Sequence, residues 1–124
     1  MTEPLALVSY ERLLPGSQLV NRLQDLNYRV QAVADASALP ACARQEKPLI
    51  IFLDLVSSRH NTSEVVANLK KHPETRHIPV IAFCPDDALD AQEAAQSAGA
   101  TLVVSDAAVL NYLVQFLEQA LRVE

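Results

Sequence analysis

Six side chains that could hold an ion or be covalently modified come directly after short apolar runs of the sequence. They are Ser9, Tyr10, Asp54, Cys84, Ser105 and Asp106. Carboxylates and hydroxyls are ligands for hard cations, and an exposed thiol can serve as a nucleophile or a redox sensor. Which of these reactions is open to the set depends on whether the fold brings the ends of the runs together.

Other reactive arrangements are missing from the sequence. It contains no Ser-His-Asp or Cys-His arrangement, no Walker loop and no Gly-rich dinucleotide turn, and it has only two glycines. His60, His72 and His77 lack the spacing of metal ligands. Cys42 and Cys84 are too few and too distant for a disulfide framework or a zinc site. We therefore expect reduced thiols, no resident metal or other cofactor, and no enzyme activity.

Short apolar runs alternate with helical patterns along the chain. The clearest run, 49–53, is continuously apolar and rich in β-branched residues, which is typical of a strand buried on both faces. Asn27 and Gly99 are predicted to end helices in the left-handed conformation. The predicted strands are 5–8, 28–33, 49–53, 78–83 and 101–104, and the predicted helices lie near 17–26, 36–45, 62–72, 88–98 and 107–122.

This alternation predicts an α/β fold, a doubly wound (βα)5 sandwich of three layers with a parallel sheet. The chain length favours the small flavodoxin-like version, with strand order 2-1-3-4-5. In such sheets ligands bind at the carboxyl ends of the strands, where the polar residues of the first paragraph would meet.

Composition narrows the class of protein. The 124 residues fit one domain, 1–124, and half of them are apolar, which is enough for one core. A net charge of −5 without a block of like charges argues against a nucleic-acid partner. No apolar run is long enough for a membrane span, and the amino terminus does not look like a secretory signal. We expect a cytoplasmic protein.

Two long stretches carry a family resemblance. Residues 48–55 and 69–83 resemble the phospho-acceptor strand, third helix and fourth strand of the CheY-like receiver domains of two-component response regulators. Residues 27–30 and 98–100 resemble that family's turns into strands two and five. The resemblance covers almost the whole chain. It implies phosphoryl transfer to a carboxylate with Mg²⁺, Asp54 as the acceptor, and Val56 as the source of a metal-binding carbonyl.

The rest of the pocket departs from the family pattern. Ser9 and Tyr10 replace the family's acidic pair, and Cys84 replaces its hydroxyl residue. The position of the family's lysine holds Asp106, or Ser105 if the loop shifts by one residue. The resemblance thus implies a pseudo-receiver, in which the phosphorylation pocket has lost most of its working residues.

These replacements weaken both magnesium binding and phosphorylation. One carboxylate and one carbonyl should hold Mg²⁺ weakly, and Glu11 stands one position too late to help. A carboxylate at Asp106 should repel a phosphoryl group that a lysine would stabilise. Asp106 is also predicted to be the N-cap of the last helix. Asp54 is expected to be a working acceptor or a polar residue bonded to backbone N–H groups or Ser9, and the thiol of Cys84 to have a raised pKa.

The last predicted helix is apolar around more of its surface than one core contact needs. Val109, Tyr112 and Phe116 fall beside its main apolar face. They either cover the core or form a contact surface for a protein partner or a second copy of the chain. Receivers use this region for such contacts, so the resemblance favours the contact surface and a histidine kinase or another signalling protein as partner.

Three functions stay open. The leading hypothesis is a receiver-like signalling domain that acts as a protein–protein interaction module without phosphoryl control. The second is a divergent response-regulator receiver that is phosphorylated on Asp54. The third is an unrelated flavodoxin-like enzyme or nucleotide binder, which the lack of a Gly-rich phosphate loop argues against.

Overall fold

The computed structural model describes residues 3–56 and 61–121 of the 124. The strands are β1 (Leu5–Ser9), β2 (Arg29–Val33), β3 (Ile50–Asp54), β4 (Val80–Cys84) and β5 (Leu102–Ser105). The helices are α1 (Leu13–Asp25), α2 (Leu39–Glu46), α3 (Thr62–Lys71), α4 (Leu89–Ala98), α5 (Asp106–Asn111) and α6 (Leu113–Ala120), with a 3-10 turn at Ala36–Ala38 before α2. Asn27 and Gly99 have the positive φ angles predicted for them, 69° and 110°.

The strands form one parallel sheet in the order β2-β1-β3-β4-β5. This confirms the predicted fold class and strand order. Successive side chains of a strand point to opposite faces, so each central strand needs apolar residues throughout to be covered on both sides. The run at 50–53 meets that need, because all four of its residues are fully buried.

Helices cover both faces of the sheet and complete the three layers. On one face Ile51 and Leu53 of β3 belong to a buried cluster with Val66 of α3. On the other face Phe52 belongs to a second cluster with Leu19 of α1.

The last helix differs from its prediction. One continuous helix over 107–122 was expected, but the backbone leaves helical geometry at Tyr112 (φ −121°, ψ 27°) and separates α5 from α6. Val109 is 0% exposed and belongs to the core, so its assignment to a contact surface was wrong. Tyr112 is 54% exposed, and Phe116 is half-buried beside it. Residue 122 lies outside the described residues.

Candidate functional site

The parallel strands bring the predicted polar residues to one edge of the sheet. Ser9, Asp54, Cys84 and Ser105 are the last residues of β1, β3, β4 and β5, and Asp106 follows at once as the first residue of α5. Cys84 pairs directly with Ser105 in the register of the sheet. The carboxyl edge therefore collects these groups as the sequence predicted.

A residue that the sequence reasoning did not select occupies the centre of this edge. Arg12, immediately before α1, forms ion pairs with both carboxylates. Its Nε and Nη2 donate to Oδ2 and Oδ1 of Asp54 at 3.0 and 2.8 Å. Its Nη1 and Nη2 donate to Oδ2 and Oδ1 of Asp106 at 2.8 and 3.0 Å. The guanidinium is thus bidentate to each aspartate, the geometry in which arginine binds carboxylates most strongly.

The three charged side chains differ in their exposure to solvent. The side chain of Asp54 is 0% exposed, whereas those of Arg12 and Asp106 are 26% and 25% exposed. The hydrogen bonds with Asp106 and Asp54 raise the pKa of the Arg12 guanidinium, so it stays charged at every accessible pH. The backbone N–H of Val56 also donates to Oδ1 of Asp54 at 2.9 Å, the backbone contact predicted for this carboxylate. The predicted bond to Ser9 is not among the bonds of Asp54 to the described residues.

Asp106 does not cap the last helix, contrary to its prediction. Ser105 is the N-cap of α5, because its Oγ accepts the N–H of Ala108 at 3.0 Å. With the cap supplied by its neighbour, the Asp106 carboxylate is free to turn to Arg12. Asp106 was expected to repel a phosphoryl group on Asp54. The guanidinium of Arg12, which lies between the two carboxylates, was not foreseen in that expectation.

Cys84 and Ser9 are buried at the ends of their strands. Burial raises the pKa of the Cys84 thiol, while its hydrogen bond with Gln92 acts in the opposite direction. The nearby carboxylates of Asp106 and Asp54 raise that pKa further. The raised pKa agrees with the expectation of a protonated, weakly reactive thiol.

Tyr10 and Glu11 take different positions in the connection from β1 to α1. The ring of Tyr10 lies against Gly16 of α1, where a Cβ atom would overlap it. Glu11 is exposed. Val56 is exposed and ends the first described segment. Positions 57 to 60 of the loop that follows β3 lie outside the described residues.

A magnesium ion does not fit this set of residues as they are arranged. Mg²⁺ demands an octahedral shell of oxygen atoms, and every carboxylate oxygen of Asp54 and Asp106 already accepts a hydrogen bond from Arg12. Within 3–56 and 61–121, no group of three or more His, Cys, Asp or Glu side chains could hold a metal ion. No helix in those segments is long and apolar enough to cross a membrane.

Solved structures share this architecture from end to end. The receiver domain of a sensor histidine kinase from Pseudomonas aeruginosa, with a magnesium ion coordinated in its active-site cleft, matches with a TM-score of 0.87 and 18% identity over 97% of this chain and 98% of that one. A candidate response regulator from Chloroflexus aurantiacus matches with a TM-score of 0.88 and 17% identity over 97% and 98% of the two chains. The chemotaxis protein CheY4 from Vibrio cholerae matches with a TM-score of 0.83 and 17% identity over 96% and 99%.

The chain has the receiver fold. No protein-family model matches it, and no curated protein sequence does. At 17–18% identity the likeness establishes the architecture and leaves the chemistry to be argued from the residues at the edge of the sheet. Asp54 lies at the end of β3, the position that the resemblance implied for it. The ion pair of Asp54 with Arg12 was not expected.

Proposed function

We propose that this chain is a receiver-type domain of two-component signalling that acts by binding other proteins without phosphoryl control. The observation that carries the proposal is the bidentate ion pair between Arg12 and Asp54. The architecture supports a signalling role, and the state of the aspartate supports the loss of its phosphorylation.

Transfer of a phosphoryl group to Asp54 needs a carboxylate oxygen that can reach the donor. Here the side chain is fully buried, and both oxygens accept hydrogen bonds from Arg12. Displacing the guanidinium would leave a buried carboxylate without a charge partner until the donor arrived. This costs free energy, because a buried charge has neither water nor a counter-charge to stabilise it. The pair therefore opposes the reaction kinetically and thermodynamically.

The groups around the aspartate add to this barrier. Electrostatic stabilisation of the transferring phosphoryl group is the main contribution that a protein makes to such a reaction. Asp106 contributes a negative charge close by, and Cys84 contributes only a weak S–H donor in a buried position. Arg12 is the nearby cation, but its donors are already engaged by two carboxylates.

The output of such a domain must come from a surface that contacts a partner. Tyr112 and Phe116 form an edge-to-face aromatic pair, with ring centroids 6.5 Å apart, where α5 gives way to α6. Aromatic side chains that remain exposed supply large contact areas in interfaces. A histidine kinase, another signalling protein or a second copy of this chain is the proposed partner at this aromatic pair.

A divergent receiver phosphorylated on Asp54 is the second candidate. Asp54 ends β3 at the carboxyl edge, and the Val56 N–H already donates to one of its oxygens. If Arg12 moved aside and bound the phosphoryl group, it would supply the positive charge that a lysine supplies in the family and that Asp106 cannot.

Acetyl phosphate with Mg²⁺ distinguishes the two candidates. The wild-type chain and an Asp54→Asn control are incubated with the donor and examined by phosphate-affinity electrophoresis and intact mass. We expect neither protein to gain a phosphoryl group. A modified fraction in the wild type that is missing from Asp54→Asn would contradict phosphorylation-independence and establish the second candidate.

A further inference from the structure

We propose that Arg12 is a built-in cation that takes the place of a divalent metal ion, and that removing it exposes a latent cation site on Asp54 and Asp106. The inference deepens the proposed function and rests on it for the identity of the pocket. On this proposal the wild-type pocket needs no metal ion, because the side chain of Arg12 supplies the positive charge.

The geometry shows that both carboxylates converge on one point. Nη2 of Arg12 donates to Oδ1 of Asp54 at 2.8 Å and to Oδ1 of Asp106 at 3.0 Å. A single nitrogen atom is therefore shared between oxygens that come from β3 and from α5. Both oxygens therefore face the position of Nη2, which is the position that a cation would take if the arginine side chain were removed.

The charges show why this point must be occupied. Asp54 is fully buried and Asp106 is three-quarters buried, so water screens their mutual repulsion poorly. Arg12 neutralises half of the paired negative charge, since one guanidinium faces two carboxylates. Without it, two like charges would share a pocket of low polarity, and any small cation in the solvent would be drawn to them.

The two occupants exclude each other. A divalent ion would need the oxygen lone pairs that Arg12 now uses, and the guanidinium would repel it. The arginine has the advantage of being tethered, because it stands one residue before α1 and needs no concentration of free ligand to arrive. Metal ions at millimolar levels are therefore not expected to displace it.

Thermal unfolding in EDTA and in Mg²⁺ tests the inference with the full chain. The wild type, Arg12→Ala and a matched control, Arg22→Ala on the exposed surface of α1, are compared. We expect the wild type and Arg22→Ala to have the same Tm with and without Mg²⁺. Arg12→Ala should lose about 5 °C or more in EDTA and recover several degrees in millimolar Mg²⁺, as expected for an ion that binds only the folded state.

Two further variants keep the test decisive if Arg12→Ala does not fold in EDTA. Arg12→Gln removes the charge but keeps a polar side chain, and it should gain stability from Mg²⁺. Arg12→Lys keeps the charge and should not. Bound Mn²⁺, followed by its electron paramagnetic resonance signal, should appear with Arg12→Gln and vanish when Asp54→Asn is added.

The failure of this inference differs from the failure of the proposed function. If Arg12→Ala and Arg12→Gln both fold and neither responds to Mg²⁺ or Mn²⁺, the latent site does not exist. If Mg²⁺ stabilises the wild type through Asp54, Arg12 is not its replacement. Neither measurement uses a phosphodonor, so phosphorylation of the wild type by acetyl phosphate would be a separate result.

Discussion

Arg12 decides which charges at the carboxyl edge are available to a ligand. Removing one partner from a buried ion pair typically costs about 3–5 kcal/mol, because the remaining charge is left without compensation. Asp54 has no exposed side-chain surface, so its carboxylate depends on Arg12 and on the Val56 N–H. Asp106 is partly exposed and can turn to water. The same guanidinium is therefore more important to Asp54 than to Asp106.

The thiol of Cys84 is buried and has a raised pKa, so it stays protonated near neutral pH. Cys84 is fully buried, whereas Cys42 is partly exposed, and burial raises the pKa of both. We expect an excess of a disulfide reagent to modify one thiol in the folded protein and the second only on unfolding. A Cys42→Ser variant should lose the fast reaction. Rapid modification of both thiols under native conditions would contradict the buried position of Cys84.

The raised pKa of Cys84 also sets the direction of a pH effect. Folding favours the protonated thiol, so this stabilisation is complete below the ordinary pKa of 9.0 and is lost as pH rises through the higher folded value. The free energy of unfolding should accordingly fall above about pH 9, and Cys84→Ala should fall less steeply. Denaturant titrations of both proteins at pH 8 and above measure the difference.

Residues at the site were predictable only where their position follows from local pattern. Asp54 was found because it directly follows a buried strand, and Ser9, Cys84 and Ser105 because they end other strands. Arg12 was missed because its partners lie 42 and 94 residues away and nothing in its neighbourhood announces them. A usable signal was present: two aspartates expected at one edge of a sheet need a cation, and Arg12 lies in the connection that leaves the same edge after β1.

At the scale of elements, the start of α1 depends on close contact between Tyr10 and Gly16. A side chain at Gly16 would overlap the ring of Tyr10, which lies in the same connection as Arg12. We expect Gly16→Ala to lower the free energy of unfolding by about 1–3 kcal/mol, the usual cost of overpacking. Urea denaturation measures this, with Ser17→Ala in the same helix as the control.

A double-mutant cycle isolates the contact itself. If the ring is what opposes the new methyl group, Gly16→Ala should cost much less in a Tyr10→Ala background than in the wild type. Equal costs in both backgrounds would show that the loss comes from elsewhere in α1.

Helix ends were predicted unevenly, for a physical reason. Asn27 and Gly99 mark ends that the sequence reveals, because their left-handed backbone restricts which residues can stand there. The break at Tyr112 has no such marker: neither glycine nor proline is near, and the apolar spacing continues from α5 into α6. Ser105 and Asp106 were likewise confused as caps, since both residue types serve that role.

For the molecule as a whole, the sheet was predictable because burial on both faces leaves a strong pattern. The run 50–53 contains no polar residue, and all of its side chains are buried. Such a run predicts a central strand without any knowledge of the neighbouring strands. The edge strand β2 is largely exposed and carries a weaker pattern. The strand order was predictable because right-handed connections leave two common doubly wound orders, of which the chain length favours the smaller, flavodoxin-like one.

The proposed association through the aromatic pair can be tested directly on the whole molecule. Tyr112 is 54% exposed and contacts Phe116 edge to face, so two glutamates there would place charge in any interface that buries them. We expect Tyr112→Glu with Phe116→Glu to weaken self-association or partner binding at least about tenfold, which corresponds to 1.4 kcal/mol.

Sedimentation velocity, and a pull-down with any kinase or signalling protein that binds the wild type, measure this loss, and circular dichroism checks that the variant is folded. Gln115→Glu with Gln119→Glu adds the same charge to exposed positions of α6 and should have little effect. If the aromatic variant sediments and binds like the wild type, the contact surface lies elsewhere. A loss shared equally by the glutamine variant would point to net charge, because that variant adds two charges without removing an aromatic contact.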